Sequence, residues 1–275
     1  MAETKIEWAT YTFNPWLGCT KVSPACTHCY AESWAKRSGL VQWGDNPRRK
    51  TTDQYWRQPL KWNELAKSAT VRPRVFCASL ADVFETNEEV APWRKEFFNL
   101  ISKTPNLDWL LLTKRPENIR AMLPNDWGMG YPNIWLGATV ENQEYADKRI
   151  PNLLEIDAKV YFVSCEPLLG ELNLEQYLYN RYQMGGARPM YNQVNWVICG
   201  GESGPGARPM HPAWARSLQA QCEAATVPFH FKQWGEFSPN VLGINDSVPP
   251  SRIGKKAAGR ILDGRTWDEL PAVAK

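Results

Sequence analysis

At 275 residues and 43% hydrophobic side chains, the chain is long enough for one sizeable core, and its composition is that of a folded protein rather than a disordered one. The opening MAETKIEWATYTF lacks the basic start and apolar run of a secretion signal, and no later stretch reaches bilayer-crossing length, so a cytoplasmic protein without a membrane partner is expected. A net charge of +3 is too small to argue for a polyanion partner by itself, and seven cysteines in a reducing compartment point to metal or thiol chemistry rather than disulfides.

In chain order, TFNPWLG (Thr12 to Gly18) reads as a first strand, and Cys19, Cys26 and Cys29 follow it directly. YAESWAKRSG then reads as a helix from Tyr30 that stops at Gly39. Between Lys36 and Lys61 seven Lys or Arg face only Asp45 and Asp53, with Trp43, Tyr55, Trp56 and Trp62 in or beside the segment. Basic groups neutralise phosphates and exposed rings stack on bases, which makes this segment the strongest nucleic-acid candidate; the alternative is a solvated loop whose rings fold back on the core. Fourteen Trp residues are a heavy load, and many of these rings must be structural.

Six apolar runs, each ending in polar residues, come next: RVFCASLADVFE (Arg74 to Glu85), WLLLTKRPE (Trp109 to Glu117), IWLGATVEN (Ile134 to Asn142), VYFVSCEPLLG (Val160 to Gly170), WVICGGESG (Trp196 to Gly204) and FHFKQWGE (Phe229 to Glu236). Their continuity suits parallel strands covered on both faces, and helical patterns over Pro92 to Lys103, Gln143 to Leu154 and Pro212 to Ala225 lie between them. About seven strand-helix units predict an α/β fold, a partial or complete (β/α) TIM-like barrel over residues 1–236. The Gly- and Pro-rich residues 237–275 are expected to be an extension packed on the barrel, with Arg252, Lys255, Lys256, Arg260 and Arg265 as a second basic group.

Barrel enzymes carry their chemistry at the C-terminal strand ends, and those ends are polar here. Glu166 and Glu202 end apolar strands and must find partners to offset desolvation, either a ligand or a basic residue across the rim. They are the candidate catalytic residues. By position on the same rim, Ser79, Asp82, Thr113, Thr139, Glu141, Ser164 and Gly200 are candidates for cofactor binding, and Lys114, Arg115 and Lys232 for anionic groups. GGESGPG has no Walker lysine, and His211 and His230 are read as structural. Cys77, Cys165, Cys199 and Cys222 lie in apolar runs and are read as core.

The cysteine spacing is C-x6-C-x2-C, with no second CxxC and only three histidines in the chain. A structural zinc wants four protein ligands, so zinc here needs a distant fourth; an iron-sulfur cube can be held by three thiolates with one iron left open. Both remain open on spacing alone.

The run NPWLGCTKVSPACTHCYAE, with FVSCEPLLG, CGGESG, FKQWGE and KKAAGRILDGRTWDELP, resembles a phage-associated three-Cys-motif family of unknown function. It also resembles the radical S-adenosylmethionine (radical SAM) superfamily, whose usual signature is C-x3-C-x2-C after the first strand of a partial barrel. The resemblance implies that Cys19, Cys26 and Cys29 ligate a [4Fe-4S] cluster. It further implies that SAM binds the open iron and yields a 5′-deoxyadenosyl radical, and that a flavodoxin- or ferredoxin-like donor supplies the electron. His28, just before the third cysteine, stands where the superfamily places an aromatic residue near the adenine, and Tyr30 adjoins it. The superfamily's GGE follows its second strand, whereas Gly200 to Glu202 falls near the sixth, so Ser79 and Asp82 take that role by position. The implied substrate is a nucleotide or a modified base in phage DNA. The competing expectations are a zinc-stabilised nucleic-acid-binding protein without catalysis and a barrel that keeps its cluster as a redox sensor.

Overall fold

The computed structural model describes residues 4–179, 192–238 and 250–272. Strands are β1 (Tyr11–Thr12), β2 (Trp16–Leu17), β3 (Arg49–Lys50), β4 (Arg74–Cys77), β5 (Asp108–Thr113), β6 (Ile134–Thr139), β7 (Val160–Cys165), β8 (Trp196–Gly200) and β9 (Phe229–Gln233). The principal helices are α1 (Tyr30–Ser38), α2 (Gln58–Leu65), α3 (Ala91–Ser102), α4 (Gln143–Leu154) and α5 (Pro212–Ala225). Seven strands pair in parallel in the order β1-β4-β5-β6-β7-β8-β9, and the sheet curls into a partial barrel whose edge strands do not pair with each other.

Six of the seven strands lie where the apolar runs predict them. The first is shorter than TFNPWLG suggests. Pro15 has no N–H for a ladder, and pairing with β4 ends at Phe13, whose N–H donates to the Phe76 carbonyl at 2.9 Å. Trp16 and Leu17 instead pair antiparallel with β3 in a separate two-stranded sheet, and the Asn14 side chain carries the connection by accepting from Leu80 N–H at 2.8 Å. The helix after the cysteines ends as predicted, with Gly39 in the left-handed region at φ 65°.

Side chains alternate along each strand between two apolar clusters. Val75, Cys77, Leu111, Val163, Val197 and Cys199 face the helices, packing with residues such as Phe97, Ile150 and Leu218. Phe76, Leu110, Trp135, Phe162, Trp196 and Ile198 face the other way, into the curl, where Trp8 joins them. Gly137 on β6 makes this possible: a Cβ there would lie 2.3 Å from the Phe162 ring, so only glycine lets that ring cross the interior. Burial pushes the thiols of Cys77, Cys165 and Cys199 well above their ordinary range, which suits inert core residues.

Segments near both ends of the described chain pack on the inner face of the curl. Ile6 and Leu270 both pack against the inner cluster. The outer edge of β9 is taken by the C-terminal segment: Phe231 N–H donates to the Trp267 carbonyl at 2.9 Å, and Trp196 Nε1 to the Glu269 carbonyl at 2.9 Å. Of the basic residues there, Arg260 pairs with Asp268, and Arg265 stacks 3.5 Å over the Trp267 ring. Residues 239–249 of the predicted extension lie outside the described residues. Among the described residues no helix is long and apolar enough to cross a membrane.

Candidate functional site

Two steps up each strand from the inner ring cluster, the interior changes character. Trp135 gives way through Gly137 to Thr139, Phe162 to Ser164, and His230 to Lys232; a cavity of about 640 Å³ opens there, at the C-terminal ends of the strands. Cys19, Cys26 and Cys29 all line it, together with His28, Tyr30, Ser79, Asp82, Thr113, Thr139, Ser164, Glu166 and Glu202. Glu141 and Gly200 stand outside that lining. A Cβ on Gly200 would sit 3.3 Å from the Glu166 Cδ, so this glycine lets Glu166 reach across β8.

The cysteine loop is a short turn around Pro24–Cys26 followed by α1, and the barrel rim pins it at several points. Thr20 N–H donates to Glu85 Oε1 at 2.9 Å, the Thr20 carbonyl accepts from Arg115 Nη2 at 2.8 Å, and the Pro24 carbonyl accepts from Arg208 Nη2 at 2.9 Å. Glu141, fully buried, accepts from Ala25 N–H at 3.3 Å and from Arg149 Nη1 at 2.7 Å. Its role is thus to anchor the loop from behind. Gly206 packs against the His28 ring, where a Cβ would lie 2.6 Å from Nδ1.

The carboxylates on the rim are held by the protein itself. Asp82 Oδ1 accepts from Thr113 Oγ1 at 2.7 Å, and Oδ2 from Arg115 Nη1 at 2.9 Å and Lys114 N–H at 3.1 Å. Glu202 takes a two-point grip from Arg208, at 2.8 and 2.6 Å. Glu166 pairs with Lys232 at 2.7 and 2.9 Å, and both face the cavity. Ser79 exchanges hydrogen bonds with the Asn14 side chain, and its carbonyl accepts from Tyr30 OH at 2.9 Å.

Burial, reinforced by Asp82, pushes the Cys19 thiol up to about 12, so without a ligand Cys19 keeps its proton, and a metal bound there would have to displace it. Its Sγ donates to the Thr20 carbonyl at 3.4 Å, and Cys26 Sγ lies 3.9 Å from Ser23 Oγ. Among the described residues no three His, Cys, Asp or Glu side chains are gathered closely enough to hold a single metal ion. That arrangement does not provide the four converging ligands of a closed zinc site. The thiolates of an iron-sulfur cube bind separate irons and need not meet at a point, so three thiols around one cavity fit that group in donor type and number.

The basic segment between Lys36 and Lys61 is partly taken up by the chain itself: among the described residues three of its seven Lys or Arg are ion-paired. Trp62 stacks on Tyr11 at 4.4 Å and Tyr55 on Phe13 at 5.1 Å, while Trp56 Nε1 donates to the Pro15 carbonyl at 3.2 Å. Arg48 is buried on Glu85, Lys50 pairs with Glu96, and Lys36 with Glu32. Three of the four rings fold back on the core, and Trp43 reaches the cavity. Sequence reasoning missed Lys5, Glu7, Trp8 and Arg208, which no motif marks. They reach the site only because the N-terminal segment enters the curl and the loop after β8 folds back over the cysteines.

Fold and cavity together define a partial (β/α) barrel protein with a three-cysteine loop at its C-terminal rim. The chain belongs to the family described as "Protein of unknown function (DUF5131)", matched over residues 3–271. Among curated proteins none matches it. A solved structure, "Spore photoproduct lyase complexed with dinucleoside spore photoproduct", is similar over 80% of this chain at 13% identity and a TM-score of 0.46, and this chain spans 62% of that one.

Proposed function

We propose that the protein is a radical SAM enzyme in which Cys19, Cys26 and Cys29 hold a [4Fe-4S] cluster. The observation that carries this reading is that three thiols from one loop line a single cavity at the C-terminal ends of the barrel strands. When bound, the cluster would pass an electron from a flavodoxin- or ferredoxin-like donor to SAM, and so start radical chemistry.

The rest of the work falls to the chain. Glu166 and Lys232 offer a carboxylate and an ammonium side by side, suited to the amino and carboxylate groups of SAM or to a zwitterionic part of the substrate. His28 and Tyr30 present ring surface beside the cysteines. The buried ring cluster below closes the cavity floor and keeps water from reaching the site through the barrel. Lys5, Lys114 and Lys255 line the cavity without an ion pair among the described residues, against the single unpaired carboxylate of Glu7. That excess of positive charge, beside Trp43, supports an anionic substrate such as a nucleotide or a modified base in phage DNA.

Anaerobic purification followed by iron and sulfide analysis tests the reading first. About four of each per chain is expected; zinc in their place supports the nucleic-acid-binding alternative and overturns the enzyme. SAM and a chemical reductant then separate enzyme from redox sensor: 5′-deoxyadenosine is released by the enzyme, and an intact cluster that never cleaves SAM belongs to a sensor.

A further inference from the structure

We propose that Arg115 tunes the cluster through Cys19: its guanidinium donates to the Cys19 sulfur and raises the reduction potential of the group that this cysteine holds. The inference rests on the cluster reading above. Arg115 Nη1 lies 3.6 Å from Cys19 Sγ, a normal N–H to sulfur distance, and 2.9 Å from Asp82 Oδ2. Its Nη2 donates to the Thr20 carbonyl at 2.8 Å, and its side chain is 8% exposed. Its backbone N–H is fixed as well, donating at 2.9 Å to Thr113 Oγ1, the hydroxyl that itself donates to Asp82. The guanidinium is therefore held from both ends.

Beyond Asp82 the network closes with Glu85 and Arg48, each with a side chain 2% exposed. Two carboxylates and two guanidiniums cancel, so the surroundings of Cys19 are neutral until it ligates. Ligation removes the S–H that now bonds to the Thr20 carbonyl and leaves the sulfur an acceptor only. Of the two guanidiniums, Arg115 is the one whose N–H reaches that sulfur. Among the described residues the Cys26 sulfur has the Ser23 hydroxyl as its neighbour, 3.9 Å away. A hydrogen bond to a cluster sulfur favours the reduced state, which carries one more negative charge, and with both guanidiniums paired to carboxylates that hydrogen bond, rather than net charge, is the lever. The network is thus built to ease electron entry at one corner of the cluster.

The test is a spectroelectrochemical titration of the full chain, reconstituted with iron and sulfide and without SAM. Arg115→Lys, which keeps the charge but loses the fork, is compared with the parent, and the pair Asp82→Asn with Arg115→Met, which leaves no buried carboxylate unpaired, is compared with Asp82→Asn alone, so that the loss of the Asp82 charge cancels. Iron and sulfide content are expected to hold, while the midpoint moves to more negative values in both comparisons, least for Arg115→Lys and most for the double variant. At a fixed dithionite concentration the reduced fraction falls in the same order. Variants with full clusters and an unchanged or more positive midpoint overturn the proposal. A parent protein that takes up no iron or sulfide overturns the cluster reading, and this inference with it. If the double variant does not fold, Arg115→Lys alone decides.

Discussion

The two ends of the barrel interior are made by the same strands and differ in almost everything else. At the N-terminal end Trp8, Phe76, Trp135, Phe162 and Trp196 pack ring against ring, with Trp8 and Phe76 centroids 4.5 Å apart and Trp135 and Trp196 at 6.0 Å. At the other end Thr139, Ser164, Glu166 and Lys232 face a hollow. The switch takes one alternation of the strand on β7 and β9, and two on β6. Ring packing is concentrated in one layer and the polar cavity lining in the next, so the two should respond to mutation separately.

Trp196→Ala is expected to have the largest effect on folding. The ring is fully buried and meets Trp8, Trp135, Phe162 and His230, and its Nε1 holds the C-terminal segment through the Glu269 carbonyl. Its loss should cost about 3–5 kcal/mol in urea denaturation. In the upper layer, Cys26→Ala should leave the stability of the metal-free protein within about 1 kcal/mol while abolishing iron and sulfide binding. Cys222→Ala, deep in the helix-side core, should spare the cluster. A Cys26→Ala protein as unstable as Trp196→Ala would erase the division between the layers.

Glu141 sits behind the cysteine loop and blurs the boundary, since it is both buried and tied to the site. Glu141→Leu leaves Arg149 without its carboxylate and Ala25 without its acceptor, and should cost about 3–5 kcal/mol. Cluster retention should fall with it. Glu141→Gln, which keeps an acceptor for Ala25, should recover part of both.

His230 gives the lower layer a pH dependence. Burial lowers its pKa from the ordinary 6.5 to about 4, with Asp268 opposing and Arg260 and Lys232 assisting, and Glu166 also opposing. The unfolded chain therefore binds the proton first as pH falls. Stability from the neutral ring is full above pH 6.5 and is lost progressively down to about pH 4, a difference of about 3 kcal/mol. Melting curves from pH 7.5 to 4 should show this slope, and His230→Phe should flatten it. An equal slope in the variant would assign it to the carboxylates instead.

The parallel strands were legible because runs such as WLLLT and VYFVSC are apolar on both faces, which a sheet buried on two sides requires. The cysteine loop was legible from spacing. Neither pattern could show which inner positions are rings and which are hollow, because that depends on strand stagger around the curl. Nor could charge density show that Arg48 is consumed by Glu85, from the loop after β4, or that Trp62 stacks on Tyr11. Such pairings join residues far apart in the chain, and a dense basic segment looks the same whether its partners are phosphates or its own carboxylates. Arg208 and the segment from Thr4 to Trp8 left no local signal, since their place comes from chain path alone.

The smallest expected effect falls at the rim. Lys255 is exposed, lines the cavity, and has no carboxylate partner among the described residues. Lys255→Glu should shift stability by no more than about 0.5 kcal/mol, as for most exposed substitutions. Reversing one charge beside an anion in high dielectric is worth about 1 kcal/mol, so affinity for a pyrophosphate probe should drop by about fivefold at low salt. The difference should shrink as ionic strength rises and the Debye length shortens. Lys61→Glu, outside the cavity lining, serves as the contrast: a loss equal to that of Lys255→Glu would mean that overall charge, rather than the cavity, attracts the anion.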